Sequence, residues 1–323
     1  MGCGVAALHN LALLESAAMR LITRSDFDGL ACAVLLREVE QIDSVDFVHP
    51  KDVQDGKVQV GRNDILSNLP YVQGAGLWFD HHSSEITRNE DTMSYRGRFE
   101  IAPSAARVIY NHYGAAKLGK FEKLLESVDR SDAAQLTMEE VTHPTGWILL
   151  SYVMDPRTGL AYHRDYGISN RELMTKMIDL IAQNPDNPEA VVGDRDVKER
   201  IDRYFTQQEE FARAMREHSR VEGNVIVTDL RGIAEPPTGN RFLIYTMYPN
   251  ANIQVRIFDG RKGEFVVCAV GHSIFNRTSR TDVGKLMTRY GGGGHRGAGT
   301  CQLPLADAET KLAEILSTIR KDG

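Results

Sequence analysis

Apolar and polar positions along the first half of the chain predict strands that alternate with helices. Residues 19–24 form an apolar-rich run typical of a strand, and 28–40 carries Leu30, Val34 and Leu35 at helical spacing. Alternation of this kind indicates a parallel sheet. The further predicted strands are 44–48, 57–61 and 76–79, and the further predicted helices are 103–113 and 120–128.

The second half changes from helical patterns to strands. Residues 139–186 are mostly helical, the strongest breaker cluster is 184–188, and 194–219 is a long charged helical pattern that could connect two domains. Strands are then predicted at 225–227, 241–247, 252–258 and 264–270, with helices at 282–290 and 306–320. We therefore expect an α/β protein with a parallel-sheet N-terminal domain, a helical linker and a smaller α+β domain with a mixed sheet. The predicted divisions are an N-terminal extension 1–18, a domain 19–190, a linker helix 191–220 and a domain 221–323.

Composition narrows the classes of function. The 323 residues are 42% hydrophobic and 25% charged with a formal net charge of −6, which argues against a broad basic surface for long nucleic acid. This composition is compatible with a small site that binds an anion through metals and a few arginines. Residues 1–18 lack the basic start of a signal peptide, and no run reaches the ~18 apolar residues of a membrane span. The four cysteines, which include Cys3, show no C-x-x-C spacing, so we expect buried free thiols in a cytoplasmic protein.

Acidic and histidine residues follow several of the predicted strands. The apolar run 77–79 ends in Asp80-His81-His82, and the first strand is followed by two carboxylates, Asp26 and Asp28. Parallel strands end at one edge of a sheet, where ligands bind in open α/β folds. The alternative interpretation of the carboxylate pair is that one caps the following helix. Further carboxylates are expected to join them: Asp64 after the predicted strand 57–61, and Asp129 and Asp132 at the end of a helix.

An oxygen-rich cluster with imidazoles suits Mn²⁺ or Mg²⁺ better than zinc. Two such ions roughly 4 Å apart can bind one phosphoryl group from both sides. A carboxylate shared by both ions would hold that spacing, and Asp64 is the candidate.

A second candidate element is the glycine run 291–294. Glycines let the backbone approach an anion closely and direct N–H groups at it, and His295 and Arg296 directly follow the run. The alternative is a flexible linker, which its position between a helix and a strand disfavours. Asn276 and Arg277 provide further donors upstream, although Arg277 could also be an ordinary surface residue.

Three motifs in order give the chain a specific resemblance from Met19 onwards. Asp26-Phe-Asp28-Gly29, Asp80-His81-His82 and Gly292-Gly-Gly-His295-Arg-Gly-Ala-Gly299 resemble the DHH phosphoesterase family with its associated C-terminal domain. The exopolyphosphatase-related and oligoribonuclease-like branch is the most similar. The resemblance implies hydrolysis of phosphoester or phosphoanhydride bonds at a dinuclear manganese site between two lobes.

The resemblance also implies roles for individual residues. Asp26 would bind the first metal, Asp28 and His81 the second, Asp64 would bridge the two ions, and His82 would face the scissile phosphate. Asp132 fits the fourth family motif better than Asp129, which stays an alternative ligand. The far phosphate or terminal nucleotide would be held by Asn276, Arg277, Gly292, Gly293, Gly294, His295 and Arg296.

The chain departs from the family pattern at Arg24, where relatives usually have a metal-ligating histidine. A guanidinium offers only donors, so Arg24 cannot bind a metal ion and could instead pair with Asp26. Three outcomes follow: two metals with a weaker first site, one metal with Arg24 acting on the phosphate, or a sensor module that binds a nucleotide without hydrolysis.

The leading hypothesis is a metal-dependent hydrolase of a small anionic substrate: a short oligonucleotide, dinucleotide, phosphonucleotide or polyphosphate. It would use one or two Mn²⁺ ions, with Mg²⁺ as the other option. The expected partners are that substrate, no long duplex nucleic acid and no membrane, and a homodimer is possible. The sensor is the rival, and a processive exonuclease is weakened by the acidic net charge.

Overall fold

The chain divides into two compact units, which are described separately. The structure is a computed structural model that describes residues 19–83, 85–86, 94–233 and 238–323. The predicted extension 1–18 and Cys3 lie outside these residues. Unit 1 comprises the described residues through Ala133 together with Asn170–Val191, and unit 2 comprises Ala134–Ser169 and Val192–Gly323. This differs from the predicted division because 134–169 and the linker helix group with unit 2.

The two units contain one sheet each, which confirms the predicted fold class. In unit 1 the strands pair in parallel in the order β2-β1-β3-β4-β5, and in unit 2 the order is β10-β11-β9-β8-β7-β6 with one parallel pair, β7 and β8. The strands are β1 (Met19–Arg24), β2 (Ile42–Val48), β3 (Asp64–Ser67), β4 (Leu77–Asp80), β5 (Gly97–Phe99), β6 (Ser219–Glu222), β7 (Val225–Asp229), β8 (Ile253–Asp259), β9 (Phe265–His272), β10 (Gly293–His295) and β11 (Ala298–Pro304).

Helices separate most of these strands along the chain. The α-helices among the described residues are α1 (Phe27–Val39), α2 (Pro50–Gln54), α3 (Ala105–Tyr113), α4 (Ala115–Leu118), α5 (Glu122–Asp132), α6 (Met138–Thr142), α7 (Gly146–Met154), α8 (Asn170–Gln183), α9 (Pro188–Val192), α10 (Arg195–Glu217), α11 (Leu243–Met247), α12 (Val283–Thr288) and α13 (Ala308–Asp322). Short 3₁₀ turns occur at Gly119–Phe121, Pro156–Thr158, Leu160–Tyr162 and Arg261–Gly263. Among the described residues, no helix is long and apolar enough to cross a membrane.

The central strands of unit 1 are buried on both faces, as expected for a parallel sheet covered by helices. All four residues of β3 are buried, and Trp78 of β4 is completely inaccessible. Helix α1 buries ten consecutive residues from Phe27 to Leu36 against this sheet and its neighbouring helices. This packing fixes the ends of β1, β3 and β4, and it therefore also fixes the positions of the polar residues that follow them.

Unit 2 has one apolar face on its sheet. Alternate residues of β8, namely Ile253, Val255 and Ile257, belong to a core that also contains Leu286 of α12 and Ile315 of α13. Three cysteines among the described residues, Cys32, Cys268 and Cys301, are free and buried, as predicted.

Two predicted strands are wrong. Residues 57–61 form no regular element, and the strand begins at Asp64, three residues after the end of the predicted one. Residues 241–247, predicted as a strand, contain helix α11. Their apolar runs are too short for periodicity to separate a strand from a buried helical turn.

Candidate metal centre

The polar residues of unit 1 meet where its parallel strands end. Strands β1, β3 and β4 end at Arg24, Ser67 and Asp80 and lie side by side in the sheet. The segments that follow them place Asp26, Asn68 and His81 at one edge of the sheet, as the sequence pattern predicts for Asp26 and His81.

His81 is oriented as a metal ligand would be. Its Nδ1 lies 2.9 Å from the carbonyl oxygen of Ala102, to which it can donate, and this leaves Nε2 with a lone pair. Nε2 is buried and has no hydrogen-bond partner among the described residues. It faces Oδ2 of Asp132 at 3.4 Å and Oδ2 of Asp28 at 3.9 Å. A lone pair that faces two carboxylates is unfavourable unless a cation lies between them.

Asp28 is held by the start of helix α3. Its two carboxylate oxygens accept hydrogen bonds from the backbone N–H groups of Ala105 and Ala106, both at 2.9 Å. Burial, followed by the charges of Asp132 and Asp26, raises the pKa of Asp28 well above its usual value. Ligand atoms of Asp28, His81 and Asp132 all lie within 4.8 Å of one another, so these three residues, here called the Asp28 group, fit a divalent cation.

Asp80 and His82 form a second pair beside this group. Nδ1 of His82 lies 2.8 Å from Oδ1 of Asp80, while Oδ2 of Asp80 is buried without a hydrogen-bond partner among the described residues. Burial lowers the pKa of His82, but the hydrogen bond and charge of Asp80 outweigh it and raise this pKa to about 8. Asp80, His81 and His82 also satisfy the spacing of a metal-binding group, so His81 is common to both groups.

Asp26 is engaged by protein groups on both oxygens. Oδ1 caps helix α1 by accepting from the backbone N–H of Gly29 at 2.9 Å, and it also accepts from Nδ2 of Asn68 at 3.1 Å. Oδ2 forms an ion pair with Nε of Arg24 at 2.8 Å. Capping and pairing with Arg24, which the sequence left open as alternatives to metal binding, therefore both occur.

The position predicted for Asp64 is wrong. Asp64 begins β3 and is in register with Arg20 near the start of β1, so it lies at the opposite edge of the sheet from Asp26 and His81. Nε and an amino group of Arg20 contact its two oxygens at 2.8 and 2.9 Å, and the backbone N–H of Gly61 donates to it at 2.7 Å. Asp64 is at the start of β3, whereas the candidate metal centre lies beyond the end of that strand. This geometry excludes a role for Asp64 as a bridge between two metals.

The contacts of Asp129 and Asp132 indicate different roles for the two residues. Asp129 accepts from the Ser104 hydroxyl at 2.7 Å and from Nε of Arg107 at 2.8 Å, which ties α5 to the start of α3. Asp132, one turn later on α5, reaches His81. The spacing in the structure therefore favours Asp132 as the ligand and leaves Asp129 as a support for α3.

The glycine run in unit 2 forms the start of a tightly packed hairpin, so the flexible-linker alternative is wrong. A Cβ at Gly292 would lie 2.1 Å from the carbonyl oxygen of Thr300, and one at Gly294 (φ 152°) would lie 2.2 Å from that of Ala298. His295 and Arg296 are exposed near the hairpin turn, and a Cβ added at Gly293 would meet no atom of the described residues within 4 Å. Binding of a phosphate by these residues remains a prediction.

Asn276 and Arg277 make mainly local bonds in unit 2. Nδ2 of Asn276 donates to the carbonyl oxygen of Asn250 at 3.0 Å. Arg277 donates from Nε to Ile274 at 3.0 Å and from an amino group to Ala134 at 2.7 Å, in both cases to the carbonyl oxygen. These bonds anchor the segment, and the predicted substrate contacts of both residues are untested.

Sequence reasoning missed Asn68 and gave Asp80 no role of its own. Asn68 has a left-handed backbone (φ 54°) and a buried Oδ1 without a hydrogen-bond partner among the described residues. The sequence signal for Asn68 was the apolar pair Ile65-Leu66, which is followed by Ser67 and Asn68. The wrong prediction of a strand at 57–61 concealed this signal. Ser104, whose hydroxyl caps α3 and so positions the donors to Asp28, gave no distinctive signal.

Comparison with known proteins gives three informative structural matches. No family model and no curated protein matches the chain. The pGpG-specific phosphodiesterase PggH of Vibrio cholerae is 42% identical, with a TM-score of 0.79 over 94% of this chain and 100% of that one. The DHH domain of a protein described as a member of a family of ribosomal proteins is 12% identical, with a TM-score of 0.58 over 94% of this chain and 87% of that one. RecJ of Thermus thermophilus in complex with Mn²⁺ is 14% identical, with a TM-score of 0.56 over 94% of this chain and 52% of that one. The last two show a shared fold.

Proposed function

This chain belongs to the DHH phosphoesterase family and is a phosphoester hydrolase, and we propose that its substrate is a linear dinucleotide such as pGpG. The observation that carries the proposal is the Asp28 group: the buried Nε2 of His81 has no hydrogen-bond partner among the described residues and faces two carboxylates. The 42% identity to a pGpG-specific phosphodiesterase over that protein's whole length supports the choice of substrate.

We propose that Asp28, His81 and Asp132 hold a divalent cation, with Mn²⁺ or Mg²⁺ as the ion. When bound, such an ion neutralises charge on the reacting phosphoryl group. The two backbone donors of α3 fix the carboxylate of Asp28, and the carbonyl oxygen of Ala102 fixes the ring of His81. These supports keep the ligands in place when the site is filled, as outer contacts of metal ligands commonly do.

His82 is proposed to contact the scissile phosphate through Nε2. The bond between its Nδ1 and Asp80 sets the orientation of the ring, and the buried carboxylate favours the protonated form of the imidazole. A protonated imidazole donates a charge-assisted hydrogen bond to a phosphoryl oxygen. Asp80 therefore acts as a positioning residue for His82.

We propose that Arg24 replaces the first metal of the two-metal pattern, so that one ion binds per chain. The guanidinium already neutralises Asp26, whose other oxygen accepts from Gly29 and Asn68. Asn68, an amide, adds no negative charge beside it. Of the three outcomes considered from the sequence, this arrangement supports one metal with Arg24 supplying positive charge.

The test is hydrolysis of pGpG by the purified protein with Mn²⁺, followed by chromatography of the GMP released. Asp132→Asn should lower kcat/KM at least about 100-fold, since it removes a ligand charge. Asp43→Asn, at an exposed position of the same unit, is the matched control and should behave as the wild type. Metal analysis of the same samples should give one ion per chain.

Three results would contradict parts of the proposal. Cleavage of polyphosphate without cleavage of pGpG would overturn the substrate class. Full activity of Asp132→Asn would overturn the site, and two tightly bound ions per chain would overturn the role given to Arg24.

A further inference from the structure

Two of the three residues of the Asp28 group are held by one short segment of unit 1. The carbonyl oxygen of Ala102 lies 2.9 Å from Nδ1 of His81, and the first two backbone N–H groups of α3 donate to Asp28, both at 2.9 Å. The third residue, Asp132, lies at the end of a different helix, α5. The shape of the site therefore depends on how α5 is held against the start of α3.

Asp129 joins α5 to the start of α3. Its Oδ1 accepts from the hydroxyl of Ser104 at 2.7 Å, and its Oδ2 accepts from Nε and an amino group of Arg107 at 2.8 and 2.7 Å. The hydroxyl of Ser104 also caps α3 by accepting from the backbone N–H of Arg107 at 3.0 Å. Asp132 follows Asp129 by three residues, so both carboxylates lie on one face of α5. We call Asp129, Ser104 and Arg107 the Asp129 clamp.

The Asp129 clamp is shielded from solvent and contains an ion pair. Ser104 is completely buried, and the side chains of Asp129 and Arg107 are 15% and 17% exposed. Burial lowers the pKa of Arg107, but the hydrogen bond and charge of Asp129 outweigh it and raise this pKa. Two parallel bonds between a guanidinium and a carboxylate fix the relative orientation of the two groups. The clamp therefore restricts movement of α5 against α3, and with it the movement of Asp132 against His81 and Asp28.

Divalent ions differ in the freedom that they require from their ligands. Mg²⁺ takes near-octahedral ligands at roughly 2.0–2.1 Å, whereas Ca²⁺ takes 6–8 oxygen ligands at roughly 2.3–2.6 Å in a variable geometry. Mn²⁺ shares the octahedral preference of Mg²⁺. A site accommodates Ca²⁺ best when its ligands can move apart, because the larger ion needs longer bonds and more oxygen atoms around it.

We propose that the Asp129 clamp makes the Asp28 group selective for Mn²⁺ and Mg²⁺ over Ca²⁺. This inference rests on the proposed function, which assigns a divalent cation to the group, and it adds the reason for the choice of ion. The clamp keeps Asp132 close to His81 and Asp28, so the site cannot expand to the longer bonds of Ca²⁺. Asp129 is a positioning residue, since it acts through Asp132 and through the segment that holds the other two ligands.

The experiment measures Mn²⁺ binding to the full chain by electron paramagnetic resonance of the free ion, with Ca²⁺ and Mg²⁺ as competitors. In Asp129→Asn the Mn²⁺ affinity should fall about 10-fold, as is common when a contact that supports metal ligands is lost. The Ca²⁺ affinity should fall less, so the ratio of the Mn²⁺ to the Ca²⁺ affinity should drop at least about 3-fold. The lost charge of Asp129 weakens both divalent ions alike, so the ratio reports the geometry of the ligands.

Two further variants separate the clamp from general effects on the helix. Ser104→Ala breaks the clamp without a change of charge and should lower the same ratio, and the double variant should add little to either single change because both break one connection. Glu126→Gln makes the same carboxylate-to-amide change at an exposed position of α5 and should keep the wild-type affinities. Circular dichroism at the assay temperature checks the fold, and Ser104→Ala decides the question if Asp129→Asn is unfolded.

Metal binding without substrate separates this inference from the proposed function. If the folded clamp variants keep the wild-type ratio, or if the wild type binds Ca²⁺ as tightly as Mn²⁺, the inference is overturned, while hydrolysis of pGpG by the wild type would leave the proposed function intact. If the wild type shows the expected selectivity and the clamp variants lose it, but no dinucleotide is hydrolysed, the inference stands and the proposed function fails.

Discussion

At the scale of single residues, the position of a carboxylate along its strand decides its role. Asp64 and Asp80 lie on neighbouring parallel strands, but Asp64 begins β3 and Asp80 ends β4. Parallel strands place those two positions at opposite edges of the sheet. Asp64 therefore contacts Arg20 and Gly61, whereas Asp80 contacts His82 at the candidate metal centre.

Asp64→Asn is expected to affect stability and to leave metal binding intact. Removal of the charge weakens the paired contacts with Arg20, whose side chain is about a third exposed, so the free energy of unfolding should fall by only about 1 kcal/mol. Urea unfolding and metal analysis of the variant measure the two effects.

Asp28→Asn is the matched comparison, since it changes the same residue type in the same unit and should lose the bound ion. A loss of metal from Asp64→Asn equal to that from Asp28→Asn would show that the edge assigned to Asp64 is wrong.

At the scale of elements, the glycine run allows backbone segments of unit 2 to pack closely against one another. Gly294 pairs with Gly299 across the hairpin β10–β11, and a Cβ at Gly284 of α12 would lie 2.7 Å from the carbonyl oxygen of Gly294. Helix and hairpin can approach this closely only without side chains at the contact. Glycine composition predicted a special backbone here, but the partner of each glycine depends on residues elsewhere in unit 2.

Gly294→Ala should destabilise unit 2 by about 2 kcal/mol or more. The new Cβ would lie 2.2 Å from the Ala298 carbonyl oxygen, and a φ of 152° is strained for alanine. Thermal unfolding followed by circular dichroism measures the change. Gly293→Ala is the control because its Cβ would meet no atom within 4 Å in the part of the chain that the structure describes. A loss of stability in the control equal to that in Gly294→Ala would contradict the packing argument.

At the scale of the whole molecule, each unit has its own core and its own polar centre. Unit 1 concentrates negative charge at the Asp28 group, and in unit 2 Arg157 and Arg241 share the carboxylate of Asp155. A cation is the ligand that matches the Asp28 group in charge. The net charge of −6 hides this separation because it sums over the two units.

Mn²⁺ should raise the thermal unfolding midpoint of the whole chain, and a chelator should reverse the effect. Binding to the folded state at 100 times the dissociation constant contributes about 2.7 kcal/mol, which corresponds to a rise of roughly 5–10 °C for a unit of this size. Differential scanning fluorimetry with Mn²⁺ and with EDTA makes the measurement. Asp28→Asn should show no response, and a full response in that variant would place the ion elsewhere.

The order of motifs and the apolar periodicity by themselves determined the family, the two sheets and most of the long helices. They also identified Asp26, Asp28 and His81 as neighbours, because residues that closely follow parallel strands meet at one edge of the sheet. Long periodic segments such as α10 were predicted to within a few residues for the same reason: their pattern is local.

Only the tertiary structure decided which carboxylates lie together at the candidate metal centre. Strand register places Asn68, and not Asp64, at this edge of the sheet. Contacts in the folded chain pair Arg24 with Asp26 and bring Asp132, and not Asp129, to His81. Periodicity describes the environment along one segment, whereas register and packing select which side chains from different segments meet.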